Sequence, residues 1–294
     1  MRVPASRVVA LLLWAVLIGW VVASRGVPGD VVGVIVLVWL FTIAWNIHHP
    51  PATHARFAMD WAPLVLLLVA YTYTRGAADE LGIGPFVQWP ATVDSWIGGG
   101  VTPTERLQAA WCAPTCTIEG GNVLEAVLSL TYLSHFVVAY ALATWWYLTD
   151  GPAWRRWLTR FLAMYAVGLV VYVLHPLAPP WWAARQGIID ESVVRMTGRG
   201  IDDLGLQLSR VLEGPVSNPV AAMPSLHAGT AVLVSVFLAS RVASRWGSLW
   251  HVYPLVMCLA LVYFAEHYVV DLLAGAVLAV AVHHVIGRRE RRSD

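Results

Sequence analysis

The sequence predicts an all-α fold: a polytopic membrane helical bundle with about eight transmembrane helices. Of its 294 residues, 58% are hydrophobic and only 13% are charged, a composition too apolar for a soluble domain. Apolar runs recur along the chain between charged residues or Pro and Gly, and a helix that spans a bilayer needs about 20 residues. Several of the 16 tryptophans lie near the ends of these runs, where we expect them to anchor the helices in the interface.

The apolar runs define the predicted spans in chain order. We place them at Val8–Ala23, Val31–Trp45, Trp61–Tyr73, Val123–Tyr147, Trp157–Leu174, Ser225–Ser240, His251–Phe264 and Val269–Ile286. The second and third are shorter than a bilayer normally requires. The first follows Arg2 and Arg7 and ends near a poor cleavage site, so a signal peptide is the alternative, but its length favours an uncleaved helix.

The placement of the arginines predicts how these spans are oriented. The chain contains no lysine, which excludes a mechanism based on an activated lysine. Most arginines fall on one side of the predicted membrane: Arg2, Arg7, Arg56, Arg155, Arg156, Arg160, Arg241, Arg245, Arg288, Arg289, Arg291 and Arg292. By the positive-inside rule we expect both termini of a multi-pass cell-membrane protein in the cytoplasm. No basic run interleaved with aromatic residues occurs outside the membrane ends, so nucleic acid is not an expected partner.

The segment AEHYVVDLLAG carries a histidine and an aspartate, His267 and Asp271, four residues apart at one end of a predicted span. A helix places such residues on the same face. The carboxylate can hold one ring nitrogen and leave the other directed at a substrate. Ionisable groups at membrane depth are candidates for function because they are costly there. A buried polar pair or a helix cap is the simpler interpretation.

The segment NPVAAMPSLHAG opens another predicted span on the same side of the membrane. Pro224 suits the first helical turn, Ser225 offers a hydroxyl and a backbone N–H, and a helix N-terminus attracts anions. His227 follows in the first turn. Alone, the segment predicts only a capping serine and an interfacial histidine. Its occurrence together with His267 and Asp271 on one side of the membrane favours a catalytic site.

These two segments resemble motifs of a known family. Pro224-Ser225-Leu226-His227 and His267-Tyr268-Val269-Val270-Asp271 are similar to the second and third motifs of the type 2 phosphatidic acid phosphatase superfamily. Its members are lipid phosphatases and phosphotransferases that share a helical fold with vanadium haloperoxidases. The Leu226 form is more similar to the branch that contains inositol phosphorylceramide synthases, as is HPLAPPWWAARQG from His175 to Gly187.

The resemblance implies a fold and a mechanism. It implies a six-helix phosphatase-like catalytic core in residues 123–294. Residues 1–122 then form N-terminal transmembrane helices and a long outer loop of the same integrated membrane domain. It further implies that His267 attacks phosphorus, that Asp271 orients it, and that His227 protonates the leaving oxygen, through a phosphohistidine and without a metal or other cofactor. Separately, the arginine placement predicts that His227, the His267–Asp271 motif and the HPLAPPWW segment lie together on the outer side of the membrane.

The sequence departs from the family in the groups that would meet the phosphate charge. Leu261 lies six residues before His267, where the family's phosphate-binding arginine is normal, and the Lys and Arg-Pro of the first motif are missing. We therefore expect Arg185 and Arg195, beyond the PPWW segment, to bind the substrate phosphate with Ser225. A solvated loop surface of paired charges is the alternative for most of this loop, and Arg199 and Arg210 are expected to matter less. His175 either assists or packs under tryptophan.

The other outer loop, between the third and fourth spans, contains two further features. The partly apolar segment Phe86–Ile97 is expected to form a short amphipathic stretch in the interface. Within CAPTC, Cys112 and Cys116 are expected to form a small disulfide loop on an oxidising outer face. A metal pair is the alternative, although no further Cys or His accompanies it.

The leading functional hypothesis is a membrane-embedded lipid phosphatase that cleaves a phosphate mono- or diester on a diacylglycerol or polyprenyl anchor. The alternative is a phosphotransferase of the inositol phosphorylceramide synthase type, which moves a phospho-headgroup to a lipid alcohol. A third hypothesis is a non-catalytic lipid transporter or haem-binding bundle. Haem would require paired histidines facing one cavity, whereas His135 is expected to lie deeper than His227 and His267.

Overall fold

The computed structural model describes residues 4–25, 31–112, 116–117, 119–201, 220–242 and 245–293. Eleven α-helices lie in these ranges, and a 3₁₀ helix at Arg245–His251 leads into the tenth. The α-helices are α1 Ala5–Arg25, α2 Val31–Trp45, α3 Pro51–Glu80, α4 Gln88–Ile97, α5 Pro103–Trp111, α6 Val123–Thr149, α7 Gly151–Leu174, α8 Pro180–Arg185, α9 Leu226–Ala239, α10 Val252–Tyr263 and α11 Val269–Ser293. The all-α prediction is confirmed.

Each of the eight predicted spans coincides with a helix, but three boundaries are wrong. The third span is part of the 30-residue helix α3, which continues through Pro63 and includes polar residues at both ends. Helix α7 begins at Gly151, six residues before the predicted start, because Asp150 caps it there by accepting from the Ala153 N–H at 3.0 Å. Helix α11 continues beyond Ile286 into the arginine-rich C-terminal segment.

Within the described ranges, four helices are long and apolar enough to cross a membrane: Ala5–Ser24, Val123–Thr149, Gly151–Leu174 and Val269–Arg292. Three apolar helices are shorter, at Val32–Trp45, Leu226–Ala239 and Gly247–Tyr263. The chain is thus a multi-pass membrane helical bundle. We call the end of the bundle where α9 and α11 begin the upper end, and the end where they finish the lower end.

Backbone hydrogen bonds connect the loops of the upper end. The Phe86 N–H donates to the Pro176 carbonyl at 2.8 Å, and the Ala178 N–H donates to the Phe86 carbonyl at 3.0 Å. On the other side, the Leu177 N–H donates to the Val220 carbonyl at 2.8 Å. These isolated β-bridges join the segment before α4, the segment before α8 and the approach to α9.

Helices α9 and α11 cross in very close contact. A Cβ added to Gly275 would lie 2.2 Å from the Ser225 carbonyl oxygen, and one added to Gly229 would lie 3.2 Å from the Gly275 carbonyl oxygen. Only residues without a side chain allow this backbone approach. The crossing brings the first turns of the two helices, and therefore both predicted motifs, side by side.

Contacts also cross the predicted boundary at residue 122. The Tyr147 hydroxyl donates to the Asp60 carboxylate at 3.1 Å, so α6 is joined to α3. Residues of α3, α6, α7 and α9 share one large core near the lower end that is rich in buried aromatic side chains, including Phe57, Trp61, Trp146, Trp157 and Phe237.

Candidate active site

The first turn of α9 is anchored by Ser225. Its hydroxyl oxygen accepts from the Ala228 N–H at 3.3 Å as the helix cap, and its own N–H donates to the Asp271 carbonyl at 3.0 Å. Ser225 is fully buried. Its backbone N–H is therefore occupied by α11, and only its hydroxyl proton is available for the predicted role in phosphate binding.

The turn between α10 and α11 places His267. The Ala265 N–H donates to the Val262 carbonyl at 3.1 Å and the Glu266 N–H donates to the Leu261 carbonyl at 3.0 Å, the paired bonds of a Schellman cap. Ala265 adopts φ 61°, a left-handed conformation in which glycine is the usual residue. The chain reverses at this point and delivers His267 to the start of α11.

His267 and Asp271 form the predicted pair. The Nδ1 atom of His267 lies 3.4 Å from the Asp271 Oδ2 atom, and both side chains are buried. The same Oδ2 atom accepts from the Tyr268 N–H at 3.0 Å. Asp271 thus caps α11, as one interpretation of this residue expected. It also lies beside the His267 ring, although the Nδ1 atom of His267 has no hydrogen-bond partner in the described part of the chain.

His227 faces this pair from α9. Its ring centroid lies 5.8 Å from that of His267. The Nε2 atom of His227 is buried and has no hydrogen-bond partner in the described part of the chain. The rings of the two histidines therefore lie close together at the upper end of the bundle, one in the first turn of α9 and one just before α11.

Helix α6 supplies aromatic neighbours that hold the His227 ring. Tyr132 stacks on it with 4.8 Å between centroids, and His135 stacks on it at 3.9 Å. His135 also lies 3.5 Å from the Tyr165 hydroxyl through its Nε2 atom. His135, which was expected to lie deeper than His227 and His267, is thus in direct ring contact with His227. Its stacked ring leaves no room between it and His227 for a haem.

Of the two predicted phosphate-binding arginines, the structure places Arg195 beside the histidines. Its Nε atom contacts the Glu266 carboxylate at 2.7 Å. The guanidinium also lies within hydrogen-bonding reach of the Tyr132 hydroxyl. By contrast, Arg185 is exposed and lies over the Trp181 ring at 4.8 Å.

The loop that carries Arg195 is held by a buried amide that the sequence analysis missed. The Gln108 side chain donates to the Val194 carbonyl at 2.8 Å and the Tyr263 carbonyl at 2.9 Å. It also accepts from the Val194 N–H at 3.0 Å. Next to it, Cys112 and Cys116 are joined in a disulfide, as the first of the two interpretations expected. Helix α5 therefore fixes the residue preceding Arg195.

Asp94 on α4 is a second residue that the sequence analysis missed. Its carboxylate is fully buried and accepts from the Val269 N–H at 2.9 Å and the Val270 N–H at 3.2 Å. Asp94 therefore caps the helix that carries Asp271. Burial raises the pKa of Asp94 to about 6, although the two backbone N–H groups oppose this by favouring the carboxylate.

Leu261, which stands at the position of the family's phosphate-binding arginine, belongs to the apolar core. Leu261 is fully buried in a cluster that includes Tyr132, Ala228, Met257 and Leu272. A guanidinium there would be surrounded by apolar groups from α6, α9, α10 and α11. The positive charge near the histidines consequently comes from the loop, through Arg195.

Two other expectations concern neighbouring residues. Arg199, expected to be of minor importance, forms a 2.7 Å ion pair with the buried Glu125 carboxylate, so its role includes holding the loop to α6. His175 packs among aromatic rings, with Phe86 at 4.2 Å and Trp89 at 5.6 Å, which favours the packing interpretation. Arg210 lies outside the described residues.

Comparison with protein families bears on the resemblance that the two motifs indicated. Residues 105–285 match the family model described as the PAP2 superfamily. The chain belongs to the PAP2 superfamily. The match contains Ser225, His227, His267, Asp271 and Arg195, and it begins within α5, before the predicted core boundary at residue 123.

A second comparison, with curated proteins, finds two that are named inositol phosphorylceramide synthases. The chain is 31% identical over 154 residues to the inositol phosphorylceramide synthase catalytic subunit of Schizosaccharomyces pombe, covering 51% of this chain and 36% of that protein. It is 26% identical over 175 residues to the inositol phosphorylceramide synthase of Candida albicans, covering 55% and 36%.

A bacterial relative shows similar likeness. The phosphoinositol dihydroceramide synthase of Bacteroides thetaiotaomicron is 29% identical over 137 residues, covering 45% of each chain. The chain thus spans less than half the length of the curated relatives that it matches. No solved structure matches it.

Proposed function

We propose that this enzyme cleaves a phosphate ester of a lipid at the outer membrane face through a phosphohistidine on His267. The observation that carries the proposal is the buried cluster at the upper end. There His267 has one ring nitrogen beside Asp271, at 3.4 Å, and its ring 5.8 Å from that of His227. The substrate class is a phosphate mono- or diester on a hydrophobic anchor, because the cluster lies at the membrane-helix ends.

In the proposed first step, the Nε2 lone pair of His267 attacks phosphorus and a P–N bond forms. The P–O bond to the leaving group breaks, and its electron pair stays on the leaving oxygen, which takes a proton from His227. Asp271 keeps the Nδ1 proton of His267 in place and stabilises the cationic ring. The capping contact from Tyr268 fixes this carboxylate.

In the second step, an acceptor oxygen attacks phosphorus and releases His267. His227, now neutral, takes the acceptor's proton and is ready for another cycle. Arg195 supplies fixed positive charge for the phosphoryl oxygens. Glu266 holds one edge of its guanidinium, so the planar group is oriented before the substrate arrives.

The acceptor distinguishes two candidate functions. Water makes the enzyme a lipid phosphatase, which is our leading proposal. A lipid alcohol makes it a phosphotransferase, which the names of the curated relatives support. Both share the chemistry up to the phosphohistidine. A bound alcohol would outcompete water because correct positioning contributes several kcal/mol.

The test uses purified protein and labelled lipid phosphates, including phosphoinositol-bearing lipids, with or without diacylglycerol, ceramide or polyprenol and with or without chelator. We expect label in water-soluble phosphate or phospho-headgroup, no effect of chelator, and acid-labile label on the wild-type protein but not on His267→Ala. Label that moves only to an added alcohol would establish the transferase instead. A strict divalent-metal requirement would overturn the mechanism.

The orientation requires a separate measurement. We propose both termini in the cytoplasm and the histidine cluster outside, because arginines concentrate at the lower end. In a Cys258→Ala background, single cysteines at Asp190 and Ser293 should be labelled by an impermeant reagent from opposite sides. Labelling of both from one side would contradict this orientation without touching the chemistry.

A further inference from the structure

One aromatic side chain of α6, Phe136, contacts the histidine cluster and also reaches the outer surface of the bundle. Its ring meets the His227 ring edge-on, with 5.7 Å between the centroids and 83° between the planes. It meets the His135 ring in the same way, at 5.0 Å and 86°. Nevertheless, 46% of Phe136 is exposed. Phe136 therefore connects the cluster with whatever surrounds the bundle at this point.

The exposure of Phe136 interrupts a packed face of α6. Glu125, Ser129 and Ala143 lie within about 20° of Phe136 around the helix axis, and all three are buried. The Ser129 hydroxyl donates to the Arg199 carbonyl of the upper loop at 2.8 Å, and Ala143 belongs to the large core near the lower end. The face is thus covered on both sides of Phe136 and uncovered at Phe136. We call this uncovered place the lateral opening.

The lateral opening lies at the depth of the lipid chains. Phe136 is the middle residue of the 27-residue helix α6, so about 20 Å of helix extends on either side of it. A hydrocarbon core about 30 Å thick includes the midpoint of a helix about 40 Å long, wherever the core lies along that helix. The exposed side of Phe136 therefore faces lipid chains.

The histidine cluster is most open next to Phe136. His227 and His135, the two rings that Phe136 contacts, are partly exposed. By contrast, His267 is 6% exposed and Asp271 is fully buried. A lipid can reach these rings from the lateral opening while its hydrophobic anchor stays among other lipid chains. Approach through water would expose that anchor, which is unfavourable.

We infer that Phe136 lines the route by which the substrate leaves the bilayer and that it determines which hydrophobic anchor is accepted. The inference rests on the proposed function, because it takes the substrate to be a lipid phosphate that reacts at His267. The phosphate lies between His227 and His267, and the first part of the anchor packs on the exposed side of Phe136. This contact positions the ester, since contacts far from the reacting atoms can hold a substrate in its reactive geometry.

The test compares the same two substitutions at Phe136 and at Val137. Val137 is 61% exposed and lies about 100° around α6 from Phe136, so it controls for altered contact with bulk lipid. Wild type, Phe136→Ala, Phe136→Trp, Val137→Ala and Val137→Trp are purified in detergent. They are assayed in mixed micelles with labelled phosphatidic acid and phosphatidylinositol, each in dioleoyl and dihexanoyl form. Melting temperatures and label on His267 are measured on the same samples.

Both Phe136 variants should lower kcat/KM for the dioleoyl lipid about 10-fold, because a misplaced anchor misplaces the ester. The value for the dihexanoyl lipid should change by less than about 2-fold, because its short chains make little contact beyond the ester. Both Val137 variants should behave like wild type with all lipids.

Two outcomes would overturn the inference. Equal losses for long and short chains in the Phe136 variants would show that Phe136 only supports the His227 ring. Equal effects at Phe136 and Val137 would show a general response to the bilayer. In either case wild type would still turn over lipid and carry label on His267. Absence of both in wild type would instead remove the proposed function, and this inference with it.

Discussion

The upper and lower ends of α9 and α11 are packed in opposite ways. At the upper end, backbone contacts backbone at Gly275, and the histidine rings are held by stacking and a buried carboxylate. At the lower end, the same helices diverge around a cavity lined by long arginine side chains. Proton transfer needs titratable groups at fixed distances. The two ends therefore differ in what they offer: closely packed titratable groups at the upper end and long charged side chains at the lower end.

The sharpest test of this division is a comparison of histidines. His267→Ala and His227→Ala should each lower turnover by at least about 10³-fold, because a nucleophile or a positioned acid is removed, and Asp271→Asn should leave residual activity. His284→Ala, an exposed histidine of the lower end, is the matched control and should retain wild-type turnover. Lipid turnover by purified protein of unchanged melting temperature is the measurement. Full activity of His267→Ala would eliminate the enzymatic mechanism.

The packing difference can be tested with one substitution at each end of α11. A Cβ at Gly275 would lie 2.2 Å from a backbone oxygen, whereas one at Gly287 would meet only the ends of the Arg160 and Arg291 side chains, at 3.3 and 3.5 Å. Gly275→Ala should destabilise the fold by about 1–3 kcal/mol. Gly287→Ala should be neutral or stabilising by up to about 1 kcal/mol. Thermal unfolding in detergent would measure both, and equal effects would contradict the proposed contrast.

The two predicted phosphate-binding arginines now differ in expected importance. Arg195→Gln should lower kcat/KM by about 10²-fold, roughly the loss of one donor to developing charge. Arg185→Gln should change it by less than about 3-fold because its side chain is exposed over Trp181. Steady-state kinetics would test this, with Arg195→Lys as the variant that keeps the charge without the planar fork. A larger loss for Arg185→Gln would mean that the phosphate binds elsewhere.

The smallest expected effect concerns Asp94, outside the membrane-spanning segments. Its folded pKa of about 6 lies above the ordinary 3.8, so its contribution to stability is complete below pH 3.8 and is lost as pH rises through about 6. Asp94→Asn is always neutral. Its melting temperature should therefore improve relative to wild type between pH 4.5 and 7.5, while activity falls about 10-fold through the weakened cap of α11.

The control for Asp94 is Glu191→Gln, which removes an exposed carboxylate of a nearby loop. The difference in melting temperature between Glu191→Gln and wild type should not depend on pH over the same range. If the difference in melting temperature between Asp94→Asn and wild type did not change with pH, Asp94 would be ionised throughout this range. The two backbone N–H groups would then outweigh the effect of burial on its pKa.

The sequence was sufficient to predict the helices and the catalytic motifs, because both depend on local patterns. An apolar run predicts a membrane helix wherever that helix packs. His267 and Asp271 are in contact as predicted, but His267 lies in the turn two residues before α11 and not on the helix that the i, i+4 spacing implied. The capping box of Thr102 and Glu105 at the start of α5 was also readable as a local signal, although the predicted outer loop did not include this helix.

The supporting residues could not be predicted in this way. Asp94 is 175 residues from the N–H group of Val269 that it binds, and Gln108 is 86 residues from Val194. Their roles arise only when short helices of the upper end dock on the bundle. The stack of His135 on His227 likewise depends on the rotation of α6, which the uniformly apolar sequence around it does not specify.

The glycine crossing of α9 and α11 has a mechanical consequence. At a rise of 1.5 Å per residue, Asp271 lies about 6 Å above Gly275 and Glu290 about 22 Å below it. If the helices tilt about this point, a displacement at the lower end is reduced about fourfold at the upper end. The pivot lies closer to the histidines than to the lower end, so a tilt that moves the arginines around the lower cavity would change the separation of the histidines much less.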